Sequence, residues 1–285
     1  MQVPLPVLTG PAEDNWLSPT PVQHGWSEGL GYSENGAVLF GQLQVAEPEL
    51  QRLGLARATF HAYGRIEHLL RSRGYPHWLR TWNYLAEITR GEGDEERYRQ
   101  FSLGRHNALA LKPGFEQQLP AATAIGTAEG GLVLYFLAAR APGRQIENPR
   151  QTSAYAYPRQ YGPKSPSFSR ATLVDWADGA ELLISGTASV VGHETRHVGD
   201  VPAQMQEALA NIDSLLGEAE RRLDAESGRL RAESLRLYVR DPEHVAAAMA
   251  LCRERHPDTP LSVLLGDICR SELLLEVEGS YRVRP

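Results

Sequence analysis

A central stretch of the chain, residues 148–170, combines arginine and tyrosine in a pattern suited to binding an anion. Arginine can hold a carboxylate with two parallel hydrogen bonds, and tyrosine adds a flat ring and an O–H donor. Four prolines exclude a helix, because proline fixes φ and lacks an N–H group. The pattern predicts either the wall of a pocket for a small, planar, anionic ligand or an ordered crossover whose aromatic rings pack on the neighbouring domains. The residues concerned are Arg150, Tyr155, Tyr157, Arg159, Tyr161 and Arg170.

Near the C-terminus, Cys269 and Glu276 could supply a thiol and an acid. Cys269 precedes a predicted turn at Arg270 and Ser271, and the adjacent arginine favours ligand contact and a lowered thiol pKa; a small packed residue is the alternative. Glu276 follows on a predicted strand with apolar neighbours, where desolvation would raise the pKa of its carboxyl and suit a general acid. The alternative is a solvated carboxylate on an edge strand. Both residues reach one small ligand only if the hairpin folds back, because seven extended residues span about 23 Å.

Residues His193 to His197 (HETRH) match the HExxH pattern of zinc proteases. That chemistry needs a helix, because i, i+4 spacing on a helix brings both imidazoles to one metal. Gly192 precedes the motif, and the next predicted helix begins only near Asp200. We therefore predict a polar loop between a strand and a helix, and no metal site.

These residues must be positioned by elements that recur in the same order in each half: strand, long helix, strand, short helix and strand hairpin. In the first half we predict a strand at 37–45, a helix at 50–70, a strand at 79–89, a short helix capped by Asp94, and strands at 107–112 and 131–139. In the second half we predict a strand at 181–191, a helix capped by Asp200, a strand at 235–239, a helix from Asp241, and strands at 261–268 and 273–278. The fold class is predicted to be α/β (α+β), with two like domains that each pack helices on one face of a mixed β-sheet. The predicted divisions are an arm at 1–30, domains at 31–145 and 171–285, and a connecting segment at 146–170.

Composition limits the class of protein further. The chain has 285 residues, 42% of them hydrophobic, and a net charge of −6, which argues against a nucleic-acid partner. No apolar run approaches the ~18–20 residues that span a bilayer, and the N-terminus lacks the pattern of a secretion signal, so we expect no membrane partner. Two cysteines do not suggest a disulfide framework, and Cys252, at helical spacing with Val245 and Met249, is predicted to be a core thiol. The expected location is the cytoplasm.

Three segments together resemble the chorismatase family: the central stretch, ISGTAS (residues 184–189) and GDICRSELLLEVEG (residues 266–279). The resemblance extends from about residue 31 onward. It implies two tandem RidA/YjgF-like domains, chorismate as the small-molecule substrate, and no cofactor or metal. Oligomeric state stays open between a monomer and a small homo-oligomer.

The resemblance also implies roles for individual residues. Glu276 would protonate the enolpyruvyl methylene of chorismate, after which pyruvate departs. Cys269 marks the members that form 3-hydroxybenzoate, some of which also release 4-hydroxybenzoate. A dianionic substrate needs at least two cationic anchors, for which we predict Arg159 and Arg105. Further expected contacts are Tyr98 and Tyr161 as donors, Tyr155, Arg170 and Arg270, and Gly186, where the backbone could approach the ligand closely.

Three alternatives remain at this stage. One is hydrolysis of chorismate to a dihydroxycyclohexadiene carboxylate, which is the reaction of family members that lack the cysteine. Another is a RidA-like module that binds an aromatic acid without turnover. The third is an imine deaminase that uses Arg270, which would leave the central stretch without a role.

Overall fold

The computed structural model describes residues 3–13, 15–223 and 229–283. The strands are, in chain order, β1 (Val7–Thr9), β2 (Gln23–Ser27), β3 (Leu30–Glu34), β4 (Val38–Val45), β5 (His77–Ala86), β6 (Ala121–Thr127), β7 (Leu132–Ala139), β8 (Arg144–Ile146), β9 (Ala171–Trp176), β10 (Gly179–Thr187), β11 (Val190–Val191), β12 (Glu194–Thr195), β13 (Leu230–Val239), β14 (Leu261–Leu265), β15 (Asp267–Ile268) and β16 (Leu275–Val283). The α-helices are α1 (Glu47–Leu53), α2 (Leu55–Arg73), α3 (Arg97–Leu109), α4 (Val201–Arg222) and α5 (Val245–Arg255).

Helix α2 ends and helix α4 begins where the sequence predicts, but the single helix predicted at 50–70 is wrong at its start, because Gly54, with a φ of 78°, divides it into α1 and α2. Helix α2 ends at Gly74, whose φ of 78° is left-handed, and the Gly74 N–H donates to the last carbonyls of the helix. Helix α4 begins after Asp200, whose side chain accepts a hydrogen bond from the Ala203 N–H. Both helices therefore carry their own stop or start signal.

Two seven-stranded mixed sheets form the body of the molecule. The first has the order β15-β6-β5-β7-β4-β3-β2, and the second has the order β1-β14-β13-β16-β10-β9-β8. Each sheet contains one parallel pair, β5 with β6 and β13 with β14, and its other described pairs are antiparallel. The predicted fold class is confirmed: two tandem α/β (α+β) units, each with helices on one face of a mixed sheet.

Apolar side chains form three cores, which lie between four layers of secondary structure. The order of these layers through the molecule is helices, sheet, sheet, helices. The first helix layer packs on its sheet through residues such as Ile66, Leu70, Phe101 and Phe136. The second does so through residues such as Met205, Ile212, Leu237 and Val263. Between the two sheets lies a third core, which includes Trp82, Tyr84, Leu183, Tyr238 and Leu264. The inner faces of both sheets therefore meet, and any cleft between them is walled by both halves of the chain.

Residues 1–30, which the sequence predicts as an extended arm, contribute an edge strand to each sheet. Strand β2 is the edge of the first sheet, and β1 pairs with β14 at the edge of the second. Between them, Trp16 packs edge-on against Trp82 and stacks on Phe40, at centroid distances of 6.1 and 6.4 Å. The second half of the chain also contributes an edge strand to the first sheet, because β15 pairs with β6.

The predicted strand at 107–112 is wrong. Helix α3 continues to Leu109, and residues 110–112 form a turn after it. Packing on α2 explains the longer helix, because Gly104 lets α3 approach so closely that a Cβ there would lie 2.1 Å from the Ala56 carbonyl oxygen. The predicted cap also needs correction: α3 begins after Glu96 without a side-chain cap, and Asp94 instead pairs with Arg159. Within the described ranges, no helix is long and apolar enough to cross a membrane.

Candidate active site

A cavity of about 520 Å³ opens between the two sheets. Its wall is built from helix α3, strand β6, the central stretch, the β10–β12 region and the turn before β16. Among the lining residues are the predicted site residues Tyr98, Arg105, Tyr161, Arg170, Gly186, Cys269, Arg270 and Glu276. The fold thus brings eight of the ten predicted residues to one place.

Strand β16 turns Glu276 toward the space between the sheets. Alternation along this strand predicts two faces, with Leu273, Leu275 and Val277 on one and Leu274, Glu276 and Glu278 on the other. Leu275 and Val277 do face the helix-side core, so Glu276 and Glu278 face the first sheet. The prediction fails only before the strand begins, where Leu273 lies in the inter-sheet core and Leu274 packs on the helix side.

Glu276 has the environment of a carboxyl that keeps its proton. It is 5% exposed although it lines the cavity. Burial, assisted by the negative charge of Glu278, raises the pKa of Glu276 to about 8 against the opposing charges of Arg80 and Arg170. Near neutral pH this group can therefore donate a proton and act as a general acid.

Gly186 lies directly against the Glu276 carboxyl. A Cβ at Gly186 would stand 1.8 Å from Glu276 Oε1, so any side chain there would collide with the acid. The sequence predicts that Gly186 allows close approach of the backbone to a ligand. The close approach that the structure contains is to the Glu276 side chain.

Cys269 reaches the same cavity because the chain turns back between it and Glu276. The Leu273 N–H donates to the Arg270 carbonyl at 3.1 Å, which closes the predicted turn. The predicted lowering of the thiol pKa is wrong: burial, with the charge of Glu276, raises the pKa of Cys269 to about 12 and outweighs Arg270 and the hydrogen bond with Tyr98. The side chain is therefore a neutral thiol, and burial together with Cys269 also raises the pKa of Tyr98 well above its usual value.

Arg105 on α3 is the most deeply buried cation of the cavity wall. It is 2% exposed, and its Nε and Nη2 atoms are buried without a hydrogen-bond partner among the described residues. Its guanidinium carbon lies 5.5 Å from the centre of the Tyr63 ring. A buried guanidinium with unused donors in a cavity wall is suited to holding a ligand carboxylate, since hydrogen bonds to charged groups contribute about 1.5–3 kcal/mol each.

Two further arginines are fixed by tyrosines of the central stretch. Arg170 donates to the Tyr157 hydroxyl at 2.7 Å and to the Thr152 carbonyl at 2.8 Å. Arg270 stacks on the Tyr161 ring, 4.1 Å from its centre, and donates to the His193 carbonyl at 2.9 Å. The central stretch is therefore both an ordered crossover and a pocket wall, which unites the two readings left open by its composition.

Arg159 and Tyr155 do not line this cavity, and the expectation for Arg159 as a principal anchor needs correction. The Arg159 side chain is 65% exposed and pairs with Asp94, with Nη1 2.9 Å from Oδ1. Arg159 and Tyr155 each lie in a short 3-10 turn, Arg159–Tyr161 and Ala154–Ala156 respectively. Of these two turns, Gln160 and Tyr161 line the cavity, and Tyr155 and Arg159 do not. The sequence shows which residues belong to the central stretch, but it does not show which side chains of these turns face the cavity.

The HETRH segment is non-helical, as predicted, but it is not a plain loop: its Glu194 and Thr195 form strand β12 of a tight hairpin. Strands β11 and β12 pair across it, and its two imidazoles have separate partners: Tyr161 for His193 Nδ1 at 3.1 Å, and Glu207 for His197 Nε2 at 3.2 Å. No group of three or more potential metal ligands occurs in the described part of the chain. Glu194 and Thr195 of the hairpin line the cavity.

Sequence reasoning missed several residues that shape the site. Tyr157 lines the cavity and was recognised only as part of the central stretch. Thr123 on β6 lines the cavity without any local sequence signal. Glu278, buried and bonded by Arg80, could have been found, because it shares the strand face of Glu276.

Comparisons with known proteins give a consistent result. Residues 14–138 match the family model described as "Chorismatase FkbO/Hyg5-like, N-terminal". A 3-hydroxybenzoate synthase of Streptomyces hygroscopicus is 39% identical over 279 residues, which cover 94% of this chain and 81% of that protein. A chorismatase of Streptomyces rapamycinicus is 39% identical over 272 residues, covering 93% and 80%. Among solved structures, a chorismatase crystal structure superimposes with a TM-score of 0.83 at 35% identity, covering 93% of this chain and 80% of that one.

Proposed function

Because this chain belongs to the chorismatase family, we propose that it is an enzyme that converts chorismate to 3-hydroxybenzoate and pyruvate. Chorismate is a cyclohexadiene with a ring carboxylate, a 4-hydroxyl and a 3-enolpyruvyl ether that carries a second carboxylate. Together, hydroxybenzoate and pyruvate contain the same atoms as chorismate, so this reaction consumes no water. Hydrolysis to the dihydroxycyclohexadiene carboxylate would consume one molecule of water.

The observation that carries the proposal is the buried carboxyl of Glu276, with its pKa raised to about 8, in a cavity lined by four arginines. In the proposed reaction, Glu276 delivers its proton to the terminal methylene of the enolpyruvyl group, which leaves an oxocarbenium-like centre beside the ether oxygen. The bond between that oxygen and ring carbon 3 then breaks, and pyruvate departs. An acid positioned in this way typically contributes about 10²–10⁴-fold to the rate.

We propose Arg105, Arg170 and Arg270 as anchors of the two carboxylates, with Tyr98 and Tyr161 as further donors. Arg105 is supported by its unused buried donors, and the other two by the tyrosines that fix their orientation. Tyr155 and Arg159 lie outside this set because neither lines the cavity.

The presence of Cys269 supports the 3-hydroxybenzoate branch. As a neutral thiol with a pKa of about 12, Cys269 is not a thiolate nucleophile near neutral pH. We propose that it occupies the side of the cavity where water would otherwise attack. The 4-hydroxyl oxygen of the substrate can then bond to ring carbon 3 as the bond to the pyruvate oxygen breaks, and its proton passes to the Glu276 carboxylate left by the first step. The arene-oxide-like intermediate opens at carbon 4, its oxygen takes up a proton, and loss of the proton on carbon 3 makes the ring aromatic.

Chromatography of products formed with chorismate as the sole substrate tests the proposal. We expect pyruvate in an amount equal to the sum of the hydroxybenzoates, with 3-hydroxybenzoate dominant and 4-hydroxybenzoate at most a minor product. A dominant dihydroxycyclohexadiene carboxylate would overturn the branch assignment. Tight binding of an aromatic acid without release of pyruvate would instead indicate a binding module.

We propose further that the enzyme works in the cytoplasm as a monomer or a small homo-oligomer. Both cysteines are free thiols, which supports a reducing compartment. The division into an arm at 1–30, domains at 31–145 and 171–285, and a connecting segment at 146–170 is also proposed, with edge strands exchanged between the two sheets. Limited proteolysis and analytical ultracentrifugation would test the division and the oligomeric state.

A further inference from the structure

A cluster of buried polar side chains lies between the two sheets, beneath the floor of the cavity. Its centre is the carboxylate of Glu278, which is 2% exposed. Burial tends to raise the pKa of Glu278, but the charges of Arg80 and Arg236 outweigh it, so that this pKa lies below the ordinary carboxyl value. The side chains that donate hydrogen bonds to Glu278 are Arg80, Trp82, Thr123, Arg236 and Tyr238.

Thr123 is the donor of this cluster that also lines the cavity. Its hydroxyl donates to the Glu278 carboxylate, and it accepts hydrogen bonds from Arg80 Nη2 at 2.6 Å and from the Gly186 backbone N–H at 3.0 Å. A threonine hydroxyl has one donor and two acceptor positions, so all three are used. The hydroxyl is therefore held in one orientation and cannot rotate without breaking a bond in a buried site.

The contact with Gly186 is possible because strand β10 is irregular at that point. The register between β10 and β16 shifts between Ile184 and Thr187, so the Gly186 N–H can turn to Thr123. The neighbouring Ser185 is clamped as well: its hydroxyl accepts from the Ala122 N–H at 2.8 Å and donates to the Ser169 carbonyl at 2.6 Å. Strand β6 thus fixes both residues of the irregular segment.

The fixed backbone of Gly186 is the surface on which the acid lies. A Cβ at Gly186 would come within 1.8 Å of Glu276 Oε1, so a small displacement of this backbone moves or frees the carboxyl. A continuous path of contacts therefore runs from the ionised Glu278 through the Thr123 hydroxyl and the Gly186 backbone to Glu276. No part of this path requires Thr123 to touch the substrate.

We propose that Thr123 is a positioning residue for the acid: its hydroxyl locks the Gly186 backbone to the buried Glu278 cluster and so holds the Glu276 carboxyl in line with the substrate. This inference rests on the proposed function, because it assigns Thr123 to the protonation step of that reaction. Misplacement of a catalytic group by about 1 Å can cost about 10²-fold in rate. The loss should appear in kcat, since the arginine anchors that bind the substrate are left in place.

The test compares Thr123→Val, which keeps the shape and removes the hydroxyl, with Thr123→Ser, which keeps the hydroxyl. For Thr123→Val we expect kcat on chorismate to fall about 10–100-fold while KM changes less than about threefold. Thr123→Ser should recover most of the wild-type kcat. Thr123→Ala is measured in parallel, because it also lacks the hydroxyl and does not place a methyl group against Arg80 and Glu278.

Thr81→Val is the matched control. Thr81 is a buried threonine on the adjacent strand β5, and its hydroxyl has no partner among the described residues. The kcat and KM of Thr81→Val should therefore match those of the wild type. Retention of wild-type kcat by folded Thr123→Val or Thr123→Ala would overturn the inference. So would a Thr123→Ser variant as slow as Thr123→Val. Failure of the wild type itself to release pyruvate from chorismate would instead defeat the proposed function, so the two failures are distinguishable.

Discussion

At the scale of single residues, two carboxyls on one strand face have opposite protonation states. Glu276 faces the cavity with few partners, and burial raises its pKa to about 8. Glu278, two residues further on, is held ionised by Arg80 and Arg236. Environments that push the pKa values of neighbouring groups apart are a common sign of an assigned acid, and here they single out Glu276.

Replacing the acid should abolish most turnover. Glu276→Gln keeps the shape of the side chain but cannot deliver an acidic proton, so we expect kcat to fall by about 10²–10⁴-fold. Binding of a benzoate inhibitor, measured by calorimetry, should change little. The control is Glu181→Gln, because Glu181 is also buried with a raised pKa but bonds to Trp176 outside the cavity. Unchanged turnover in Glu276→Gln would remove Glu276 from the mechanism.

Cys269 should decide the product more than the rate. Cys269→Ala opens space beside the substrate, and we expect the dihydroxycyclohexadiene carboxylate to increase relative to 3-hydroxybenzoate while total pyruvate release stays within about tenfold. Chromatography of both aromatic and diene products measures this ratio. Cys252→Ala, in the helix-side core, should leave the ratio unchanged. An unaltered product ratio in Cys269→Ala would mean that another residue sets the branch.

At the scale of elements, the three proposed anchors come from three separate parts of the fold. Arg105 lies on α3, Arg170 at the end of the central stretch, and Arg270 in the turn before β16. The first half of the chain supplies one cation, the connecting stretch another, and the second half the third. A substrate with two carboxylates therefore bridges elements that are distant in sequence.

Loss of the buried anchor should weaken substrate binding. For Arg105→Met, which keeps the length of the side chain but removes its charge, we expect KM for chorismate to rise about 10–100-fold, because hydrogen bonds to charged groups contribute about 1.5–3 kcal/mol. Arg159→Met is the matched surface control and should have near-normal KM, since Arg159 pairs with Asp94 outside the cavity. The reverse result, with Arg159 the more sensitive position, would restore the anchor predicted from sequence.

The sequence predicted the features that depend on neighbouring residues in the chain, but not those that depend on packing between distant segments. Periodicity and caps are local, so the α2 stop at Gly74 and the α4 start at Asp200 were predicted correctly. The length of α3 was not, because its last turns depend on packing against α2 at Gly104. Eight of the predicted site residues line one cavity, but the orientation of the Arg159–Tyr161 turn places Tyr161 in the cavity wall and Arg159 outside it, which the sequence does not show. Thr123 acts through residues more than 60 positions away, and no local pattern marks it.

At the scale of the whole molecule, two sheets meet face to face and enclose charged groups that neither could bury alone. Arg80 of the first sheet and Arg236 of the second both bond to Glu278. Tyr84 and Tyr238, one from each sheet, share a hydrogen bond of 3.1 Å. Breaking one member of a buried ion pair typically costs about 3–5 kcal/mol, so this cluster fixes how the two sheets face each other.

The same burial predicts how stability depends on pH. Between the ordinary carboxyl pKa of about 4.3 and the raised value of about 8, folded Glu276 is protonated while the unfolded chain is ionised there. Ionisation then favours the unfolded state, and this group lowers the unfolding free energy as pH rises through that interval. Relative to wild type, Glu276→Gln should become more stable from pH 5 to 8, by at most about 1.4 kcal/mol per unit. Denaturant titrations at several pH values measure the difference; a constant difference would contradict the raised pKa.

The pH dependence of kcat/KM for chorismate tests the central claim most directly, because it reports the pKa of the essential acid in the free enzyme. The account predicts a plateau on the acidic side and a decline that begins near pH 8 and approaches tenfold per unit above it. A profile that already falls near pH 4–5, as for an ordinary exposed carboxyl, or one that stays flat to pH 10, would contradict a proton held and delivered by Glu276.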